Sequence, residues 1–384
     1  MTDDVEPVRS AITNHPDRDD TAPPEAGMAL CLSGGGYRAM VFHVGVLWRL
    51  YELGSLKTLK RISSVSGGSI TSAVLATRWS RLSFEPGKVR EDFVREVVKP
   101  LRDFASRTID AGSVIGGILL PGFRISDSVA QSYRDHLFGN LTLQDLPDEP
   151  RFVINATNVQ TGALWRFSKP YMRDWRVGMV RNPRVSLATA VAASSAFPPV
   201  LSPLVMELDP QGFEPNSGTG LQQRPYTSRV VLSDGGVYDN LGLETVWKRY
   251  DTILVSDAGG LMAPEQEPRE DWAQHSYRVL NIVDNQVRSL RKRQVIGAFK
   301  DGTRKGAYWG IRTDIADYGL PTALPCPHDR TMMLAELATR LKAMPAEMQE
   351  RLINWGYAVT DAAVRKHVDP AAPKPSGFPY PGGV

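Results

Sequence analysis

Residues 30–50, LCLSGGGYRAMVFHVGVLWRL, place three consecutive glycines between a short apolar run and a longer apolar one. The first run is the length of a buried strand. In the second, Met40, Val44, Leu47 and Tyr51 recur at helical spacing and Gly54 supplies a stop. A second unit of the same form follows at once: LKRISSVSGG (59–68) reads as a strand entering another glycine turn, and SITSAVLATRW (69–79) as a small-residue helix. Two strand–turn–helix units in about fifty residues predict a parallel α/β sheet with helical crossovers.

Working outward, residues 81–150 read as largely helical, with a break at AGSVIGGILLPGF (111–123). RFVINATNVQTG (151–162) and ALWRFSK (163–169) predict two strands. VSLATAVAASSAFPPVLSPL (185–204) predicts a small-residue helix stopped by Pro198 and Pro199. RVVLSDGG (229–236) and DTILVSDAGG (251–260) predict strands, separated from the preceding helix by a polar, Gly/Pro-rich loop over 209–228. Helix is expected over 272–300 and 331–367, with the strand GAYWGIRT (306–313) between them. The pattern divides the chain into a loosely attached acidic arm (1–26), one catalytic domain (27–368, its motifs within 28–260 and its C-terminal part, 262–368, helical) and a Pro/Gly tail (369–384).

Composition narrows the function. The 384 residues are 42% hydrophobic and 23% charged, the balance of a soluble globular protein. A net charge of +3 is too small to argue for nucleic acid. The arm holds seven acids and two bases without an apolar core, so no secretory signal is read there. No apolar run reaches the ~20 residues of a membrane span. Two cysteines, Cys31 and Cys326, suit a reducing compartment and form neither a disulfide framework nor a zinc cluster. A cytoplasmic protein, in contact with membranes at most peripherally, is the expectation.

The chemistry centres on SSVSGGS (63–69). Ser66 stands where strand meets helix, among small residues, which forces a sharp turn and exposes its hydroxyl. The helix that follows, from Gly67 and Gly68 onward, points free N–H groups and its positive end back at that hydroxyl. Ser63, Ser64 and Ser69 are rivals off the apex. A serine needs a base. Of six histidines, none follows a strand; His43 lies inside an apolar helix, and His328, in PCPHDR, is read in a loop and is the one histidine alternative. Asp234, in VVLSDGGVYDN, is the better candidate: it ends a β-branched strand 168 residues downstream of Ser66, is followed by Gly235 and Gly236, and shares the rim with Ser66 if the strands are parallel. Asp257, in SDAGG, is the runner-up. Acyl transfer passes through an oxyanion, and the N–H groups of Gly34, Gly35 and Gly36 could receive it, with Arg38 bracing the loop or reaching a phosphate. A nucleotide-phosphate cradle is the rival; no Lys-Ser/Thr follows the glycines, and the G-x-G-x-x-G form ends in Ala39.

Together these residues resemble the patatin-like phospholipase family, whose pattern is a G-G-G-x-R-G loop, a G-x-S-x-G turn and a D-G-[GA] motif. The chain offers GGGYRA (34–39), SVSGG (64–68) and DGG (234–236) in the same order. ATAVAASSAFPPVLSPL (188–204) and DGGVYDNLG (234–242), with Asn240, extend the similarity over about 28–260. Ser64 and Ala39 stand where the family pattern has glycine. The resemblance implies a three-layer α/β/α sandwich with a mostly parallel central sheet, related to cytosolic phospholipase A2 catalytic domains. It implies a Ser66–Asp234 dyad without histidine, metal or cofactor, an oxyanion loop of Gly34, Gly35, Gly36 and Arg38, and lipid esters as substrates. An acyltransferase or non-lipid esterase with the same dyad, and an inactive lipid-binding protein, are the alternatives. The oligomeric state is not legible. Two stretches bear on membranes: 111–123, apolar and too short to span, and 287–305, with seven bases and one acid, which could face anionic headgroups.

Overall fold

The computed structural model describes residues 24–84, 89–109, 125–199 and 201–384. Most of the acidic arm and the apolar stretch 111–123 lie outside the described residues. Ten strands form one sheet among those described: β1 (Glu25–Leu32), β2 (Leu59–Val65), β3 (Arg151–Asn158), β4 (Ala163–Phe167), β5 (Tyr171–Asp174), β6 (Gly178–Arg181), β7 (Leu204–Glu207), β8 (Arg229–Asp234), β9 (Tyr250–Asp257) and β10 (Lys305–Gly310). The central run β10-β9-β1-β2-β3 is parallel throughout. Beyond β3 the sheet continues antiparallel as β4, β5 and β6.

Side-chain alternation along β1 creates the layers. Leu30 and Leu32 enter the larger core, under the Gly36–Glu52, Gly67–Arg78 and Ala346–His367 helices, whereas Ala29 and Cys31 face a smaller core with Leu241, Leu243, Val246 and Val295. Helices cover the larger face, and the turns at 241–249 with the end of the Trp272–Lys300 helix cover the smaller one, in the sandwich the family resemblance implies. The Gly36–Glu52 helix is buried on nearly every side because the Ala346–His367 helix lies along it, joined by the buried pair Arg49–Asp361 at 2.7 Å. The Pro/Gly tail is laid against this pair: Asn354 Nδ2 donates to the carbonyls of Tyr380 and Gly383 at 2.8 and 2.7 Å.

Several boundaries depart from the local reading. The small-residue helix ends at Ser194, ahead of Pro198, with the Ser195 hydroxyl bonded back to Val191 O at 2.8 Å. The expected 331–367 helix is two, His328–Ala335 and Ala346–His367, and the turn between them reaches the candidate site.

The decisive departure concerns β8. It is not parallel to β2. It pairs antiparallel with β3, Ala156 opposite Asp234, while β2 pairs parallel with the preceding part of the same β3 edge, Val65 opposite Asn155. The two strands thus approach each other tip to tip along one edge of β3, and Asp234 meets Ser66 from the opposite direction.

Candidate active site

Ser66 sits between β2 and the Gly67–Arg78 helix with φ 51 and ψ −121. A non-glycine residue held there costs about 1–3 kcal/mol and persists only where neighbours fix it. Here the fixing is a serine cluster. Ser66 N–H donates to Ser194 Oγ at 2.9 Å, and Ser194 Oγ is in turn 2.9 Å from Ser69 Oγ. Ser64, standing in the place of a glycine, fits under the turn without strain: its hydroxyl accepts from Ser69 and Ser72 at 3.1 and 2.7 Å. Ser63 is equally committed, donating to Gly242 O at 2.6 Å. The three rival serines are thus tied into the frame, while Ser66 lines an open cavity of about 390 Å³.

Asp234 lies in the same cavity wall and is 2% exposed. Its Oδ1 accepts the Gly236 N–H at 2.7 Å, while Oδ2 has no hydrogen-bond partner among the described residues. Burial pushes its pKa up to about 7, against the opposing pull of the Gly236 N–H and the Ser66 hydroxyl; the Asp284 charge adds a smaller upward push. Ser66 and Asp234 line one cavity, and among the described residues no hydrogen bond to Oδ2 is closed, as is common in unliganded sites. The backbone around Asp234 is held by the same segment that holds Ser66: Asp234 N–H donates to Ala196 O at 2.9 Å and Gly235 N–H to Ser194 O at 3.2 Å. Ser194 is thus a positioning residue that binds both halves of the site. Nothing in AASSAF announced this, because its partners are 128 and 41 residues away in the chain. In Ser194→Ala the buried Ser66 N–H loses its partner, and the expected results are about 1–2 kcal/mol less stability in urea unfolding and an activity loss of roughly tenfold.

The glycine loop lies against this pair. A side chain at Gly34 would meet Asn240 Oδ1 at 2.5 Å and Ser66 Cβ at 3.1 Å, so only glycine lets the loop approach the serine. Gly34 N–H is already committed, donating to the Asn240 carbonyl at 3.2 Å. Among the described residues, the N–H groups of Gly35 and Gly36 have no hydrogen-bond acceptor. Gly36, at φ 60, opens the first helix. Arg38 is buried and ties loops together, donating from Nε to Ala258 O at 3.2 Å and from its terminal nitrogen to Leu337 O. Burial and the neighbouring Arg288 lower its pKa to about 10, so it remains charged at neutral pH.

The alternative bases lie elsewhere. Asp257 is saturated, with Oδ1 accepting from Gly259 N–H at 2.8 Å and Oδ2 from the Tyr308 hydroxyl at 2.7 Å. His43 is enclosed between Ser256 Oγ and Ser33 O, and burial lowers its pKa to about 4. His328 is the exposed first residue of a helix, and it is not in the cavity wall. The opposite wall comes from the Trp272–Lys300 helix, through Asn281, Asp284, Asn285 and Arg288, and from residues 336–340. Sequence reasoning assigned none of these to the site.

A family model described as patatin-like phospholipase matches residues 30–247, more than half of the 384-residue chain. The chain belongs to the patatin-like phospholipase family. Among solved structures it is similar to human GIVD cytosolic phospholipase A2 in complex with methyl gamma-linolenyl fluorophosphonate, at 15% identity and a TM-score of 0.49, over 92% of this chain and 60% of that one. It is also similar to VipD from Legionella pneumophila, at 16% identity and a TM-score of 0.38, over 88% of this chain and 66% of that one. The type III effector protein ExoU matches at 14% identity and a TM-score of 0.32, over 88% of this chain and 53% of that one. The chain thus spans less than two thirds of the length of each. A search of curated proteins found no match.

Proposed function

We propose that the protein is a serine acyl hydrolase of lipid carboxylic esters, working through an acyl-enzyme on Ser66 with Asp234 as the base. The observation that carries this reading is the convergence of the strained Ser66 and the buried Asp234 carboxyl on one cavity, with the glycine loop packed against the serine. Ser66 Oγ attacks the ester carbonyl as its proton passes to Asp234. The tetrahedral oxyanion is received by the N–H groups of Gly35 and Gly36. Donors fixed in place for that charge are worth about 10²–10³ in rate each. Collapse expels the alcohol, which takes the proton from Asp234. Water then gives a proton to Asp234, attacks the acyl group and releases the fatty acid as Ser66 recovers its hydrogen. Arg38 stays where the loops hold it, a fixed positive charge in the wall.

The base acts only when ionised, and burial holds its pKa at about 7. Activity on a short soluble ester is therefore expected to rise about tenfold per pH unit below that value and level off above it. A pH–rate profile flat from 5 to 8 would contradict the assignment. The substrate class is tested by incubating phospholipid vesicles with wild type and Ser66→Ala and measuring free fatty acid, with and without an added alcohol. Fatty acid from wild type alone supports hydrolysis. Transfer to the alcohol with little free acid would make it an acyltransferase. Turnover of soluble esters alone would make it a non-lipid esterase, and no turnover at all would leave a lipid-binding protein.

A further inference from the structure

We propose that the outward face of the Trp272–Lys300 helix docks on an anionic lipid bilayer and so holds the cavity mouth against its substrate. The inference rests on the lipid-hydrolase reading for the identity of its partner. Amphipathic helices ordinarily turn their apolar side to the core, and this one does the reverse over most of its length. Asn281, Asp284, Asn285 and Arg288 line the cavity. On the other side Trp272, Val279, Leu280, Val283, Val287 and Leu290 recur at helical spacing, and all are exposed, from 40% at Val287 to 83% at Trp272. From Val279 to Leu290 the stripe runs about 17 Å at 1.5 Å per residue, with Trp272 on the same face two turns earlier. A continuous stripe, unlike single exposed apolar residues, marks an interaction site. Two further exposed apolar residues, Leu261 and Tyr277, line the cavity wall itself.

Charge identifies the occupant. Among the described residues, the helix is anchored in the smaller core near its C-terminal end, by Val295 and Phe299. Beyond the stripe the exposed bases Arg293, Lys300 and Lys305 follow, within a segment (287–305) of seven bases and one acid. Glu267, Glu270 and Asp271 stand before Trp272, at the opposite end. An apolar stripe leading into a basic end fits a bilayer containing anionic headgroups, with insertion from the middle of the helix and attraction from its basic end.

The test uses Ser66→Ala, so that binding is read without turnover, in flotation with vesicles of phosphatidylcholine alone or with phosphatidylserine. The protein should float with both and more with the anionic vesicles. Val283→Asp/Leu290→Asp should reduce binding to both roughly tenfold or more, from the lost apolar contact. Arg293→Glu/Lys300→Glu should remove only the gain from phosphatidylserine. In the active protein, Val283→Asp/Leu290→Asp should lose vesicle hydrolysis and keep soluble-ester hydrolysis. Vesicle binding that is absent from the parent, or unchanged by Val283→Asp/Leu290→Asp, overturns the proposal. So does a dimer, seen by sedimentation, that these substitutions dissociate without any vesicle binding, since the stripe would then belong to a second copy. If the vesicle results hold while neither ester is hydrolysed, the catalytic reading fails and the docking surface stands.

Discussion

Ser66→Ala is expected to lower ester hydrolysis by about four to six orders of magnitude, since without the hydroxyl no acyl-enzyme forms and the loop amides have little to stabilise. The fold should survive. The Ser66 backbone, not its hydroxyl, makes the hydrogen bond to Ser194 Oγ, and Ser64, Ser69 and Ser194 hold the turn among themselves. Alanine meets the same backbone strain as serine at φ 51, so the urea midpoint should change by less than about 1 kcal/mol's worth. An alanine variant that retains a tenth of the activity would mean that another group is the nucleophile.

Asp234→Asn should lose activity on a similar scale while making the protein more stable above neutral pH. The native carboxyl titrates at about 7, far above the ~3.9 of an unfolded chain. Below pH 4 both states hold the proton, and the site has no effect on folding. As pH rises from 4 to 7 the unfolded chain ionises first, so stability falls, and above pH 7 the full cost, about 4 kcal/mol at 1.36 kcal/mol per unit, is present. Asparagine does not titrate and keeps an oxygen for the Gly236 N–H. Urea unfolding at pH 8 should therefore favour Asp234→Asn by a few kcal/mol, and the difference should vanish near pH 4. Equal stabilities at both pH values would mean that the carboxyl is not held near neutrality by burial.

How much of this was legible depends on whether the information was local. The two strand–turn–helix units were, because apolar periodicity, glycine turns and the apex position of Ser66 are written within a few residues of one another. Asp234 was legible as a strand end, but the direction of its strand was not. Parallel and antiparallel strands carry the same alternation, and only the pairing of β3 with both β2 and β8 makes them meet tip to tip. Ser194 carried no local signal, since a serine in a small-residue helix looks the same whether or not it holds a turn 128 residues earlier. The Trp272–Lys300 helix was readable as a helix, but which of its faces looks inward was not. The usual rule turns Val279, Val283 and Leu290 to the core, and here they face out.

The central claim is that Ser66 is activated by Asp234. The most direct measurement is intact-mass and peptide analysis after a fluorophosphonate probe, on wild type, Ser66→Ala and Asp234→Asn. One adduct in wild type, mapped to Ser66, absent in Ser66→Ala and at least a hundredfold slower in Asp234→Asn, is the expected result. An adduct that persists in Ser66→Ala, or forms at the wild-type rate in Asp234→Asn, would contradict it.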